Sequence, residues 1–168
     1  MACGTTLTSG GAVVVDTKNR FLYLVGEGGV ARRYGIGVGR AGLAWAGTAE
    51  VGRKAKWPNW RPTARMIKRD PRQYAKYANG VPGGVNNPLG SRALYLYRNG
   101  RDTYYRIHGT TEPWTIGKAV SNGCIRMLNE HVEDLYERLP IGTTVVVVRG
   151  IDPVSYLVTR PSDVQVAP

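Results

Sequence analysis

The run ALYLYRNGRDTYYRIHG, residues 93–109, constrains the fold more than any other stretch. Two short segments flank Asn99-Gly100, a dipeptide suited to the tight hairpin turn whose two central residues both need positive φ. A hairpin is expected, with Leu94, Leu96, Tyr105 and Ile107 at apolar positions and His108 ending its second strand. Similar runs recur. AVVVD (residues 12–16) and FLYLV (residues 21–25) are separated by TKNR. After GEGG, VARRYGIGVG places Val30, Arg32, Tyr34, Ile36 and Val38 on one face, and the three runs read as an antiparallel meander. TVVVV (residues 144–148) is another strand, and its unbroken apolar run predicts burial on both faces. With 22 Gly and 10 Pro among 168 residues as punctuation, the pattern predicts one mainly β domain.

One helix stands out. Asn129 is a good N-cap residue before EHVEDLYERLP, in which Val132, Leu135, Tyr136 and Leu139 form an apolar stripe. Acidic residues early and Arg138 late suit the helix dipole, and Pro140 and Gly142 stop the helix. Between Arg40 and Ser91 the chain reads as a long irregular insert broken by Pro58, Pro62, Pro71, Pro82 and Pro88. Short helices are expected within it at residues 63–67 and 71–77. An insert of this length in a compact domain is usually functional.

The net charge is +11, and its excess centres on residues 53–76. There Arg53, Lys54, Lys56, Arg61, Arg65, Lys68, Arg69, Arg72 and Lys76 face Asp70 alone, interleaved with Trp57, Trp60, Tyr74 and Tyr77. Such a segment is either a solvated basic surface or an attractor of polyanions. No zinc finger, RNP-type stretch or helix-turn-helix pattern accompanies it, so no nucleic-acid partner is expected. No C-x-x-C or H-x-x-x-H spacing occurs, so no metal site is expected. Residues 1–9 read as a flexible N-terminal segment and residues 151–168 as a C-terminal extension. Met-Ala-Cys-Gly at the start resembles the end of a bacterial lipoprotein signal, which makes Cys3 a candidate lipid anchor; an incidental cysteine is the competing reading.

VSNGCIRM, residues 120–127, holds the remaining cysteine. A structural cysteine usually sits in an apolar run. Cys124 instead follows Ser121, Asn122 and Gly123, and Gly123 permits positive φ or close backbone approach. A nucleophilic thiol needs a base or a positive field. Of two histidines, His131 lies on the helix beside acidic residues and reads as exposed. His108 ends a strand and is the better partner. The N–H groups of Gly123 and Cys124 are candidate oxyanion donors, and Arg126 could hold a carboxylate. Tyr95 and Trp114 either wall a cleft or pack the core. Glu112 reads as a solvated loop carboxylate.

IHGTTEPWTIGKAVSNGCIRM closely resembles the active-site block of bacterial L,D-transpeptidases, with its His-Gly, its spacer, and Ser-x-Gly-Cys before an apolar residue and Arg or Asn. NPLGSRALYLY, AVVVDTKNRFLYLV, the helix and TTVVVV extend the likeness over residues 10–150. The resemblance implies a β-sandwich-like catalytic domain. It implies that Cys124 attacks a meso-diaminopimelate carbonyl in a peptidoglycan tetrapeptide stem, that D-Ala leaves, and that an amine resolves the thioester into a 3→3 cross-link. His108 would be the base, and the carbonyl of Gly109 would orient it. Ser121, Gly123 and Arg126 match the other motif positions. Asn122 departs from the family's commonest histidine and puts pH profile and acceptor choice in doubt. No cofactor is implied, carbapenems should acylate the sulfur, and the substrate implies a periplasmic or envelope location. Water or an envelope-protein amine are alternative acceptors. A rival of another class is a non-catalytic binder of peptidoglycan or nucleic acid, built on the basic segment.

Overall fold

The computed structural model describes residues 11–150 and the dipeptide 166–167; Cys3, residues 1–9 and the rest of the 151–168 extension lie outside the described residues. The fold is mainly β, as the turn-punctuated sequence predicts. Its strands are β1 (Val13–Asp16), β2 (Phe21–Val25), β3 (Ala31–Gly35), β4 (Val38–Gly39), β5 (Gly47–Lys56), β6 (Arg92–Arg98), β7 (Arg101–His108), β8 (Ala119–Ser121), β9 (Ile125–Arg126), β10 (Thr144–Val148) and β11 (Val166–Ala167). Nine of them form one sheet, in the order β11-β3-β2-β1-β10-β5-β6-β7-β9, while β4 and β8 pair separately. The sheet curls so that the chain just past β3 meets its far edge: Gly37 exchanges backbone hydrogen bonds with Arg126 of β9, at 2.8 and 2.9 Å. A Cβ on Gly37 would lie 2.9 Å from the Thr115 carbonyl, so this junction requires glycine.

The hairpin forms as expected, with Asn99 at φ +50° and Gly100 at φ +72°. The meander forms too, although its third strand starts at Ala31 and leaves Val30 40% exposed, off the expected face. In β1, Val13, Val14, Val15 and Asp16 are all buried, because the strand lies between β2 and β10 in the middle of the sheet. The expectation that β10 is buried on both faces is corrected. Only Val145 and Val147 are buried, Val146 and Val148 are half-buried, and Thr144 is exposed. An apolar run with one covered face looks the same in sequence as one with two.

The largest correction is β5, which occupies ten residues of the expected irregular insert. Its inward residues are Ala49 and Val51; Arg53 and Lys56 are exposed, Lys54 is half-buried, and these cations hide the alternation. Gly52 sits at a register shift against β6, and a Cβ there would enter the Tyr97 ring. Irregular chain is therefore confined to residues 40–46 and to the stretch from Trp57 onward. Within it, α1 (Ala64–Arg69) is capped by the Thr63 hydroxyl, which accepts from Met66 N at 3.2 Å. The turn α2 (Pro71–Tyr74) follows, close to the expected helices. Trp60 packs edge-on against Tyr74 and Tyr77 as a small core for this segment.

Helix α3 (Asn129–Arg138) buries Val132 and Leu135, with Leu139 buried just beyond its end, against a core including Leu94, Leu96 and Ile107. Leu128 is its N-cap and no side chain caps it. The Asn129 side chain instead accepts from Ser91 N (3.2 Å) and Thr110 N (3.1 Å), tying the helix start to the strands carrying the site. The other helix end is held by β5: Lys54 Nζ donates to the carbonyls of Tyr136 (2.6 Å) and Leu139 (2.7 Å). A cation there satisfies terminal carbonyls and complements the helix dipole. Lys54→Met is expected to destabilise the protein by about 1–3 kcal/mol, read as a lower chemical-denaturation midpoint with unchanged slope.

Candidate active site

Cys124 sits between β8 and β9, and His108 ends β7, which pairs in parallel with β9. The register sets Ile107 beside Ile125 and His108 beside Arg126, and Met127 N donates to His108 O at 2.8 Å. The sheet thus brings the ends of two adjacent strands, carrying the thiol and the imidazole, to one place. His108 is 5% exposed, and its Nδ1 lies 2.5 Å from Gly109 O. A carbonyl only accepts, so Nδ1 carries the proton and Nε2 keeps a free lone pair. Burial, with Arg126 and Arg106 adding to it against the opposing Gly109 bond, pushes the His108 pKa down to about 4. The imidazole is therefore neutral at pH 7. Burial pushes the Cys124 thiol up, against the lowering pull of a backbone hydrogen bond with Arg106 and the Arg106 and Arg126 charges. The resting pair is a neutral thiol and a neutral imidazole.

Gly109 is enclosed by Asn129: a Cβ there would collide with Asn129 Oδ1. The carbonyl that orients His108 is thereby locked from the helix side. Opposite β6, the β7 register slips between Tyr95 and Tyr97, which face Arg106 and Asp102. In the bulge, Tyr104 has φ +63° and is 70% exposed. Its N–H donates to Asp102 Oδ1 at 2.7 Å, and its carbonyl lies 3.8 Å from Cys124 Sγ. Bulges often re-aim groups beside reactive centres. Arg106 forms a bidentate pair with Asp102, at 2.6 and 2.8 Å, and stacks on Tyr95, whose ring also faces Arg53.

The loop before the thiol is held from within. Ser121 Oγ donates to Cys124 O at 2.6 Å and accepts from Gly123 N at 3.2 Å. The expectation that Gly123 offers a free oxyanion donor is corrected, because its N–H already serves Ser121. Gly123 has φ +120°, and a Cβ would lie 2.7 Å from Leu43 O, so close packing against the chain is what demands glycine. Ser121→Ala removes both bonds and is expected to cut the acylation rate of Cys124 about tenfold while leaving the melting temperature within a few degrees. Stopped-flow β-lactam acylation with matched thermal melts reads both.

Asn122 is the hub of a contact invisible in sequence. Its Nδ2 donates to Tyr74 Oη at 2.6 Å, and its Oδ1 accepts from Arg40 and Arg69, each at 3.0 Å. The basic insert thus docks on the nucleophile loop. Arg126 holds Glu112 at 2.8 Å and approaches Thr115 Oγ1 at 3.4 Å, so Glu112 is paired and not merely solvated. Tyr95 is buried and belongs to packing, while Trp114 is 64% exposed on the turn Pro113–Thr115 and is no core residue. His131, expected to be exposed, is half-buried against the Tyr34 ring, because α3 lies over β3 there. The site roles of Arg106, Tyr104, Asn129 and Arg40 carried no signal in the sequence: Tyr104 needs the bulge, Asn129 was expected only as a cap, and Arg106, Asn129 and Arg40 act through tertiary contacts. Among the described residues no cluster of His, Cys, Asp and Glu could hold a metal ion.

A curled, mainly β domain that carries a thiol and a buried neutral histidine at the ends of paired neighbouring strands forms a candidate cysteine-centred site on a sheet edge. The family model for the YkuD L,D-transpeptidase catalytic domain matches residues 10–147, and the chain belongs to that family. It is 35% identical over 154 residues to the "Probable L,D-transpeptidase ErfK/SrfK" of Escherichia coli, covering 87% of this chain and 46% of that protein. It is 40% identical over 121 residues to E. coli "Probable L,D-transpeptidase YbiS", covering 66% of this chain and 35% of that one. The chain thus spans half or less of the length of these curated relatives. Among solved structures, L,D-transpeptidase 3 from Mycobacterium tuberculosis shares the fold at TM-score 0.61 and 18% identity, covering 82% of this chain and 60% of that one. A Brucella melitensis protein described as a "Probable carnitine operon oxidoreductase caia" aligns at TM-score 0.56 and 56% identity, over 83% of this chain and 87% of that one.

Proposed function

We propose that this protein is a peptidoglycan L,D-transpeptidase of the bacterial envelope. The observation that carries the reading is the Nδ1 bond of His108 to Gly109 O, which leaves Nε2 as a ready acceptor on the strand next to Cys124. The thiol proton passes to His108 Nε2 as sulfur attacks the carbonyl of meso-diaminopimelate, the third residue of a tetrapeptide stem. With the Gly123 N–H bonded to Ser121, the Cys124 N–H is the donor left for the developing oxyanion. The imidazolium returns its proton to the amine of D-Ala, which departs, and a thioester remains. The amine of a second stem attacks the thioester, yields its proton to His108, and forms the 3→3 cross-link; the thiol is regenerated with that proton. Incubation with purified tetrapeptide-stem muropeptides should release D-Ala and yield cross-linked dimers. Hydrolysed tripeptide stems alone would point to water as acceptor, and no release of D-Ala would sink the reading.

A further inference from the structure

Arg40 lies just past β4, and Arg69 ends α1 in the insert, yet their Nη2 atoms share one acceptor, Asn122 Oδ1, at 3.0 Å each. The two nitrogens are therefore no more than 6.0 Å apart. An amide oxygen has two lone pairs and can accept both bonds, but it carries no charge. Among the described residues neither guanidinium is in an ion pair. Two exposed cations without an ion-pair partner among the described residues are thus held together on Asn122, which precedes Cys124 by two residues. Guanidinium forks match the geometry of a carboxylate, and an anion bridging them would relieve their mutual repulsion.

We propose that Arg40 and Arg69 bind a carboxylate of the donor stem and so select the acyl donor. This rests on the transpeptidase reading above. Asn122 positions the pair. A neutral imidazole has one acceptor nitrogen and a protonated one has none, so histidine at this position could not hold two guanidiniums while donating to Tyr74. Asparagine in place of the family's usual histidine is the sequence mark of this arrangement. The stem offers two carboxylates within reach of the scissile bond: the C-terminal one on the leaving residue and the side-chain one on the diaminoacid.

The test compares kcat/KM for three synthetic tetrapeptide stems: unmodified, amidated at the C-terminus, and amidated on the diaminopimelate side chain. Wild-type protein is expected to prefer the unmodified stem at least tenfold over one of the amidated stems, and that stem identifies the carboxylate bound. In Arg40→Gln/Arg69→Gln the preference falls towards one, and Arg69→Lys retains part of it. Iodoacetamide labelling of Cys124 and thermal melts check that the variants keep a folded, reactive site; Arg40→Gln alone serves if the double variant melts early. An unchanged preference in folded variants, or no preference in the wild type, overturns the arginine pair and leaves the transpeptidase reading standing. A wild type that labels with iodoacetamide but turns over none of the three stems overturns both.

Discussion

Cys124→Ala protein is expected to show no mass increase after incubation with a carbapenem, whereas wild-type protein gains one β-lactam adduct per chain. The change deletes the only cysteine among the described residues; Cys3 lies outside them, so a residual adduct would be mapped by peptide mass spectrometry. Cys124 is only partly buried and lies outside the hydrophobic core. Losing Sγ should therefore cost little stability, on the order of 1 kcal/mol or less. Ser121 keeps its bond to the backbone carbonyl of residue 124, which does not depend on the side chain. A melting temperature close to wild type with no adduct separates loss of the nucleophile from loss of the fold. An adduct of equal yield in the alanine variant would remove Cys124 from the mechanism.

His108→Gln is expected to slow that acylation by roughly 10²–10⁴-fold. Glutamine can still donate to Gly109 O but offers no base. The pH dependence is the sharper signature. Burial holds His108 neutral down to about pH 4, so the acid limb of the wild-type acylation rate should fall near 4 instead of near the ordinary 6.5. Stability follows with a definite sign. Above pH 6.5 the histidine is neutral both folded and unfolded and contributes no pH dependence. Between 6.5 and 4 the unfolded chain takes up a proton that the folded one refuses, so stability falls as pH falls, by about 3 kcal/mol at the lower end. His108→Gln should lack this component of the loss. Asp102 and Asp134, both held below the usual carboxylate range in the folded state, lose their contributions below that window, so the two effects can be separated. An acid limb at 6.5 in the wild type would contradict a buried, neutral base.

The hairpin, the meander and α3 were legible because each rests on local chemistry: an Asn-Gly turn, short apolar runs and an apolar stripe; Cys124 and His108 stood out as candidates for the same reason, a thiol in a glycine-flanked loop with few possible bases. β5 was not, because its cations and Gly52 break the alternation that marks a half-buried strand. The basic segment read as one charged surface, yet it divides by role. Lys54 holds the end of α3, Arg53 stacks on Tyr95, and Arg69 reaches Asn122. Such roles depend on partners 42–85 residues away, and a run of cations looks alike whichever partners it meets.

The sequence by itself determined a mainly β domain, singled out Cys124 and His108 as the candidate thiol and base, and marked the departure at Asn122. Turn chemistry and side-chain reactivity are properties of a few adjacent residues. Only the tertiary structure decided that the base is neutral, that Gly109 is locked by Asn129, that Ser121 occupies the Gly123 N–H, and that Asn122 gathers two arginines. Protonation follows from burial, and each of the other features is a contact between groups already reactive on their own. Whether a given N–H, carbonyl or guanidinium is free or engaged depends on where the curled sheet and the docked insert place its neighbours.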